Sequence, residues 1–396
     1  MPDMSVMRSL PSDEARALLD LTVDLADREL RPRAAADERA ACFPRDVFTT
    51  LGRAGLLGLP YSEEYGGGGQ PYEVYLQVIE ELAGAWLAVG LGVSVHTLSA
   101  LPTAAFGTDG QKQEFLPGMV GGDLLGAYCL SETTSGSDAA ALATSAVRDG
   151  DDYRIRGTKA WVTHGGVADY YNVFLRTGGP GAAGISTLLV DAGTAGVSPQ
   201  PAEHKMGMSS SPTAQIVFDN AVVPASRLIG AEGQGFRIAL AALDGGRLGI
   251  AACAVGVAQA ALDYAVSYAR ERKQFGRTIL DFQGLAFLLA DLATQVAAGR
   301  ALYLDAARRR DAGQPYSPQA AMAKLFATDM VMRVTTDAVQ VLGGAGYVED
   351  HPVERWMREA KVLQIVEGTN QVQRLVIARS LAPDKVSRAG SGGGRA

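Results

Sequence analysis

The sequence "ATSAVRDGDDYRIRGTKAWVT", residues 143–163, marks the point where the character of the chain changes. Two runs rich in β-branched and aromatic residues flank Asp149-Gly150, and an Asp-Gly pair in this setting is typical of a tight β-hairpin. Short runs of the same kind follow: "YNVFLRT", "STLLVDA" and "AQIVFDNAVVP". Residues 126–233 are therefore predicted to form an antiparallel β domain.

Helical patterns lie on both sides of these strands. Before them, residues 71–96, "PYEVYLQVIEELAGAWLAVGLGVSVH", are apolar on most sides, as a single buried helix would be. After them, residues 246–276 carry small side chains on every face, which suits a helix at the centre of a bundle. Ser317 and Pro318 are predicted to cap and begin a later helix of that bundle.

The predicted fold class is α+β. Its segments are an N-terminal α-helical domain (1–125), a middle antiparallel β domain (126–233), a C-terminal four-helix bundle (234–383) and a disordered low-complexity tail (384–396).

Composition excludes several classes of protein. The formal net charge is -7 and the pI is about 5.3, so nucleic acid is not an expected partner. The three cysteines are far apart and form neither a disulfide framework nor a metal-ligand cluster, which fits a reducing compartment. The chain shows no apolar signal-peptide core and no run of 18 apolar residues, so we expect a cytoplasmic protein without a membrane span. It also lacks the glycine motifs of Rossmann enzymes and P-loop NTPases.

Two segments carry candidate chemistry. In "CLSETTSGSDAA", residues 129–140, hydroxyl groups surround Gly136, which allows a ligand to approach the backbone closely; the alternative is a plain surface turn. In "LQIVEGTNQVQRL", residues 363–375, the carboxylate of Glu367 ends an apolar run. The alternative there is an acid favoured by a helix N-terminus, followed by ordinary loop and cap residues.

Five segments together resemble the acyl-CoA dehydrogenase family, flavoenzymes that oxidise acyl thioesters. They occur in family order between about residue 10 and residue 383: "CLSETTSGSDAA", "KAWVTHGG", "HKMGMSSSPTAQIVFDNAVVP", "RERKQFGRTILDFQGL" and "QVLGGAGYVEDHPVERWMREAK". The family's order of a helical, a β and a helical domain agrees with the order predicted from periodicity alone.

The resemblance implies an FAD site. Its residues would be Tyr128, Leu130, Ser131, Gly136 and Ser137 in the first segment, Trp161, Val162 and Thr163 on the following strand, and Thr369 and Gln371 after the apolar run. Ser131 would lie near the isoalloxazine edge, Ser137 near the cofactor and substrate phosphates, and the Thr163 hydroxyl would bond to flavin N5. The alternative for Trp161 is a core aromatic. His164 is expected to be a satisfied polar residue without a catalytic role.

A second group of residues would reach the FAD of a neighbouring subunit. By resemblance these are Arg272, Phe275 and Gln283, with Gln340, Gly343 and Gly344 at the adenosine half. A homotetramer built as a dimer of dimers is therefore expected. Taken by itself, Arg272 would be a solvated charge at a helix end.

Glu367 stands at the position of the family's catalytic base. Proton abstraction next to a thioester carbonyl needs a carboxylate in a dry pocket, where burial raises its pKa towards the working pH. The enolate oxygen would meet the backbone N–H of the base and a ribityl hydroxyl of FAD. Some relatives place the base in a "D-x-x-R" element instead, but here that position is Gly246, which cannot serve.

The substrate-binding residues implied are Ser137, Asp244, Arg247, Val366 and Gly368. Asp244 and Arg247 would shape the substrate and CoA end of the pocket; the alternative for "DGGR" is a loop closed by a salt bridge. Most relatives carry Tyr before the base, whereas this chain has Val366, which would leave room for a methyl branch at the α carbon. The alternative is that Val366 only packs the core.

The function expected from the sequence is FAD-dependent dehydrogenation of a short or 2-methyl-branched acyl-CoA, of isobutyryl-CoA type, to the enoyl-CoA. Electrons would pass to an electron-transfer flavoprotein, and the reaction would belong to fatty acid metabolism or branched-chain amino acid catabolism. No metal is implied. The alternatives are an acyl-CoA oxidase that uses oxygen, and a catalytically silent flavin-binding scaffold of the same fold.

Overall fold

A computed structural model describes residues 8–381 of the chain. Helices form both ends of the described region, and a β-sheet lies between them. The predicted α+β fold class is therefore confirmed. The tail predicted at 384–396 lies outside the described residues.

The N-terminal region contains six α-helices: α1 (Asp13–Leu25), α2 (Arg31–Ala40), α3 (Arg45–Arg53), α4 (Tyr72–Ala85), α5 (Leu87–Phe106) and α6 (Asp109–Val120). The single helix predicted over 71–96 is wrong, since the chain breaks between α4 and α5 at Trp86, whose φ of -158° and ψ of 105° are extended. The Trp86 indole N–H donates to Glu38 Oε1 at 2.9 Å. A buried indole N–H needs such an acceptor, and periodicity does not reveal it.

The middle region is an eight-stranded sheet. Its strands are β1 (Gly126–Cys129), β2 (Ser145–Asp149), β3 (Asp152–Thr163), β4 (Tyr170–Arg176), β5 (Ile185–Asp191), β6 (Val197–Pro199), β7 (Thr213–Pro224) and β8 (Leu228–Ile229). They lie in the order β6-β7-β3-β2-β4-β5-β8, and β1 pairs with β4. The predicted hairpin joins β2 to β3, with Gly150 at a φ of +64°.

The sequence predicted an antiparallel β domain, but the sheet is not wholly antiparallel. β1 pairs with β4 in parallel register, and one residue pair, Ser145 with Arg176, joins β2 to β4 in parallel. β1 arrives from α6 rather than through a hairpin, so no tight turn forces it to run against its partner.

The C-terminal region is a bundle around one long helix. Its helices are α7 (Gly235–Glu271), α8 (Gln283–Asp311), α9 (Ser317–Leu342), α10 (Val353–Ala360) and α11 (Asn370–Leu381), and the two short strands β9 (Lys273–Gln274) and β10 (Arg277–Thr278) connect α7 to α8. Ser317 is not the cap of α9 but its first residue. Its hydroxyl donates to Asp244 Oδ1 at 2.9 Å instead.

Small residues let α7 sit at the centre of the fold. A Cβ built on Gly256 would lie 2.1 Å from the Glu80 carbonyl oxygen of α4, so α4 and α7 meet backbone to backbone. One continuous apolar core joins the N-terminal helices to the bundle through this contact. α7 therefore fixes the position of the bundle relative to α4 and α5.

Three described helices are long and apolar enough to cross a membrane, judged by length and composition only. Within the fold, 89% of the apolar window of α5 and 78% of that of α7 are buried, but only 22% of that of α8. Packing inside the protein explains the apolar character of α5 and α7. Part of the apolar surface of α8, including Phe287 at 61% exposure, is uncovered in the single chain, and the absence of a membrane span stays a prediction.

Candidate active site

Glu367 lies on a strained loop between α10 and α11. Its φ is +53°, and Gly368 follows at +87°, so two successive residues adopt the left-handed conformation. For a residue with a side chain this conformation costs on the order of 1–2 kcal/mol, and it persists only where surrounding contacts impose it. The Gln373 side-chain amide provides one such contact, donating to the Gly368 carbonyl at 2.7 Å.

The carboxylate of Glu367 points into the protein. Its Oε2 atom is buried and has no hydrogen-bond partner among residues 8–381. A Cβ built on Gly246 of α7 would lie 2.8 Å from that oxygen and 3.3 Å from Leu98 of α5. Gly246 is therefore the residue against which the carboxylate packs, and a larger side chain there would displace it.

Burial raises the pKa of Glu367 to about 7, while the positive charges of Lys324 and Arg247 oppose this rise. A carboxylate with such a pKa can both take up and release a proton near neutral pH. A strongly shifted group in a buried pocket is typical of functional sites.

Arg247 is buried on α7, where it forms an ion pair with Asp244 one turn earlier. The "DGGR" element thus lies inside a helix, and the alternative of a closed loop is wrong. Asp244 also accepts the hydrogen bond of Ser317, so α7 and α9 are joined at this point. Arg247 lies close enough to Glu367 for its charge to act on the carboxyl pKa, whereas contact of Asp244 and Arg247 with substrate stays a prediction.

A narrow cavity of about 10 Å³ reaches inward beside Gly245 and Gly246. Its walls include Ser94, Leu98 and Tyr72, and the Tyr72 hydroxyl donates to the Gly245 carbonyl at 3.0 Å. The space holds about one water molecule.

The hydroxyl-rich segment is fixed to the sheet beside this pocket. The Ala160 N–H donates to the Ser131 carbonyl at 2.9 Å, and Lys159 Nζ donates to Leu130 O at 3.0 Å. Tyr128 bridges from β1 to α7 by donating to the Ala239 carbonyl at 3.2 Å. Burial raises the pKa of Tyr128, and the nearby charge of Glu367 adds to the effect. Tyr128, which directly precedes the segment, is therefore close enough to Glu367 to feel its charge.

The residues predicted to hold FAD differ in how deeply they are buried. Leu130 and Val162 are buried in apolar clusters, so only their backbones are free to contact a cofactor. Gly136, Ser137 and Gln371 are exposed, while Ser131, Thr163 and Thr369 are half-buried.

Trp161 is 55% exposed and has a φ of +54° at an irregularity of β3. The alternative of a core aromatic is therefore wrong. An exposed indole fits contact with a planar aromatic cofactor.

His164, by contrast, is fully buried and is held by the Gly126 carbonyl, 2.9 Å from its Nδ1. Burial lowers its pKa to about 4, so it is neutral. Its Nε2 is buried without a hydrogen-bond partner among residues 8–381, so the expectation of a satisfied polar residue holds for Nδ1 only.

The residues predicted to act on a neighbouring subunit are not brought to this pocket. All of them are exposed: Arg272, Phe275, Gln283, Gln340, Gly343 and Gly344. Arg272 follows the end of α7, and about 37 Å of helix separates it from Arg247. A ligand beside Glu367 is therefore out of reach of Arg272 of the same chain.

Sequence reasoning missed Lys324 of α9, which is fully buried beneath the base loop. Lys324 and Thr328 lie one helical turn apart on α9 and form a short polar stripe, which Asp329 directly follows. That stripe is a signal for a buried polar network, but a lysine in a helix is more often solvated.

Family models cover almost the whole described chain. Residues 12–123 match the acyl-CoA dehydrogenase N-terminal domain, 127–221 the middle domain and 233–382 the C-terminal domain.

Proteins with similar sequences are also acyl-CoA dehydrogenases. An acyl-CoA dehydrogenase of Bacillus subtilis is 44% identical over 360 residues, 90% of this chain and 95% of the relative. A short-chain specific acyl-CoA dehydrogenase of Clostridium acetobutylicum is 42% identical over 367 residues, 92% of this chain and 97% of the relative. A mitochondrial isobutyryl-CoA dehydrogenase of Dictyostelium discoideum is 40% identical over 375 residues, 94% of this chain and 90% of the relative.

Solved structures share the fold. Butyryl-CoA dehydrogenase of Megasphaera elsdenii aligns with a TM-score of 0.92 at 40% identity, over 95% of this chain and 100% of that one. A chain from a structural study of the electron transferring flavoprotein of Acidaminococcus fermentans aligns with a TM-score of 0.93 at 43% identity, over 96% of this chain and 100% of that one.

The chain belongs to the acyl-CoA dehydrogenase family, FAD-dependent oxidoreductases that act on CH–CH bonds. The exposed Trp161 and the hydroxyl-rich segment fit this cofactor; Ser131, Thr163 and Ser137 are not buried, and their contact with FAD stays a prediction.

We expect the purified protein to be yellow and to release FAD on denaturation, because no covalent link is implied. Trp161→Ala should weaken FAD binding about tenfold, since it removes an aromatic contact surface. The measurement is the flavin-to-protein ratio after gel filtration. Val147→Ala removes another exposed apolar side chain from the same sheet and is the matched control. Failure of the wild type to take up FAD would contradict the assignment, as would full retention by Trp161→Ala.

Proposed function

We propose that this protein oxidises a short-chain acyl-CoA thioester to the α,β-enoyl-CoA, with Glu367 as the base that removes the α proton. The observation that carries the proposal is the buried Oε2 of Glu367, which lacks a hydrogen-bond partner among residues 8–381 and whose carboxyl pKa is about 7. A structural carboxylate would be paired or solvated.

The residues around Glu367 supply distinct parts of the chemistry. Oε2 accepts the α proton, and Gly246 leaves the space in which the carboxylate reaches the substrate. The left-handed turn at Glu367 leaves its backbone N–H free of any backbone acceptor in the described chain, so this N–H can bind the thioester oxygen as negative charge develops. FAD, when bound, accepts the hydride from the β carbon.

Several observations support a short acyl chain. The cavity beside Gly246 has a volume of only about 10 Å³, with Leu98 and Tyr72 in its walls, so it offers little space for a longer chain. Two neighbours similar to this chain, from C. acetobutylicum and M. elsdenii, are named for short-chain and butyryl-CoA substrates.

A branched substrate of isobutyryl-CoA type is a second candidate. The Dictyostelium relative named for that substrate is almost as similar to this chain as the short-chain ones. Val366, which motivated the prediction from sequence, packs partly against the helical core. It therefore leaves a smaller opening at the α carbon than an exposed valine would.

The proposed electron acceptor is an electron-transfer flavoprotein, and the proposed assembly is a homotetramer. The A. fermentans neighbour supports the first. The uncovered apolar surface of α8, together with Phe275 at 93% and Tyr347 at 85% exposure, supports the second. The distance between Arg272 and the base pocket is explained if Arg272 serves the FAD of another subunit.

Glu367→Gln should retain the fold and FAD but lose turnover at least about 100-fold, because an amide cannot accept the proton at useful strength. Reduction of an artificial electron acceptor measures the rate. Glu114→Gln, an exposed change on α6, is the control and should leave the rate unchanged. Retention of more than about a hundredth of the rate by Glu367→Gln would rule out a main base role.

Substrate choice is tested by comparing kcat/KM for butyryl-, isobutyryl-, 2-methylbutyryl- and octanoyl-CoA. One methylene in an apolar pocket changes this ratio by about 10–200-fold, so activity on neighbouring lengths should fall rather than vanish. Octanoyl-CoA as the best substrate would overturn the short-chain proposal. A higher kcat/KM for butyryl-CoA than for both branched substrates would reject only the branched candidate. In that case Val366→Tyr should have little effect on the order of the four kcat/KM values.

Sedimentation at micromolar concentration should show a tetramer. Arg272→Ala should lower both tetramer content and the flavin-to-protein ratio, because one contact serves both. Arg154→Ala, an exposed arginine on β3, is the matched control. A wild-type monomer, or loss of FAD without any change in assembly, would count against the shared contact.

A further inference from the structure

The ammonium group of Lys324 lies directly under the loop that carries the base. Lys324 is fully buried, and its Nζ donates to the Gly368 carbonyl at 3.0 Å and to Asn370 Oδ1 at 2.8 Å. Both acceptors are neutral oxygens. A buried ammonium held by neutral groups is costly unless a nearby charge or a function favours it.

The loop is tied to α9 on both sides of the base. After it, the Asn370 amide donates to Thr328 Oγ1 at 2.9 Å and to Asp329 Oδ1 at 2.7 Å. Before it, the Gln364 amide donates to the same Asp329 oxygen at 2.7 Å. One face of α9 therefore holds both ends of a short loop whose backbone is strained.

Lys324 holds the centre of that loop. The left-handed conformations of Glu367 and Gly368 direct the Gly368 carbonyl towards Nζ. If this donor is removed, the carbonyl loses its hydrogen bond to α9 and keeps only that from the Gln373 amide, so the turn is held by fewer contacts and can relax towards ordinary backbone angles. A relaxed turn would move the carboxylate away from Gly246.

The charge of Lys324 also acts on the base. The charged groups that face it are Glu367 on the loop, Asp329 on α9 and Arg247 on α7. Burial lowers the pKa of Lys324 to about 7, the two carboxylates oppose this, and Arg247 adds to it. In return the ammonium opposes the rise in the Glu367 pKa, so the two groups titrate over one range as a coupled pair.

We propose that Lys324 is a positioning residue for the base: it anchors the Glu367 turn through the Gly368 carbonyl and supplies the positive charge that keeps the carboxylate ionised. The inference rests on the proposed role of Glu367. Lys324 acts through the loop and not on the substrate.

The test uses two variants of the FAD-loaded enzyme. Lys324→Met removes the charge and the donors at similar length, whereas Lys324→Gln removes the charge but keeps an N–H donor. The pH profile of kcat/KM for butyryl-CoA is measured for both. Because the base must be ionised, its acid limb follows the pKa of Glu367 in the free enzyme, and loss of the charge should move that limb to higher pH by about one unit.

Loop position is measured separately by amide hydrogen exchange of residues 363–371. Exchange should rise at least about tenfold in Lys324→Met and less in Lys324→Gln, which keeps a donor for the Gly368 carbonyl. Thr335→Val is the control, since Thr335 is buried on the same helix and its hydroxyl bonds only within it. This control should change neither the acid limb nor the exchange.

An acid limb that stays in place in both Lys324 variants overturns the proposal, as does an equal shift in Thr335→Val. Glu367→Gln separates this failure from that of the proposed function. If Glu367→Gln is inactive and the limb does not move, only the role of Lys324 is lost. If Glu367→Gln is active, the base assignment fails and the role of Lys324 fails with it.

Discussion

The burial of one carboxylate oxygen, Oε2 of Glu367, governs the arrangement of the helices around it. Glu367 ends an apolar run, and its carboxylate is wedged against a glycine of α7, with Arg247 and Lys324 as the charges that face it. Burial alone would leave the group protonated, and full solvation would leave it too weak a base. The two cations hold its pKa between these limits, at about 7.

Helix α7 contacts the other elements that hold the base. Its Gly256 lets α4 pack closely, its Gly246 leaves space for the carboxylate of Glu367, and its Arg247 provides a positive charge near that carboxylate. The far end of the same helix carries Arg272, about 37 Å away. A rigid helix therefore places the chemistry at one end and the proposed subunit contact at the other, so the assembly and the active site are connected by a single element.

The sequence predicted what local patterns determine. The Asp149-Gly150 hairpin and the alternation of helical and β regions follow from local propensity, and Glu367 followed from an apolar run together with a family resemblance. The break at Trp86 was missed because it depends on Glu38, 48 residues earlier. Lys324 was missed for the same reason, since burial of a lysine is decided by long-range packing and not by its neighbours in the chain.

Infrared difference titration of the wild type against Glu367→Gln measures the pKa of the base itself, because the protonated carboxyl group has its own C=O band. We expect a band that is absent from the variant to disappear on raising the pH, with a midpoint at about 7. A midpoint near the ordinary glutamate pKa of about 4.3 would contradict this expectation, since burial would then not have raised the pKa of the carboxyl group.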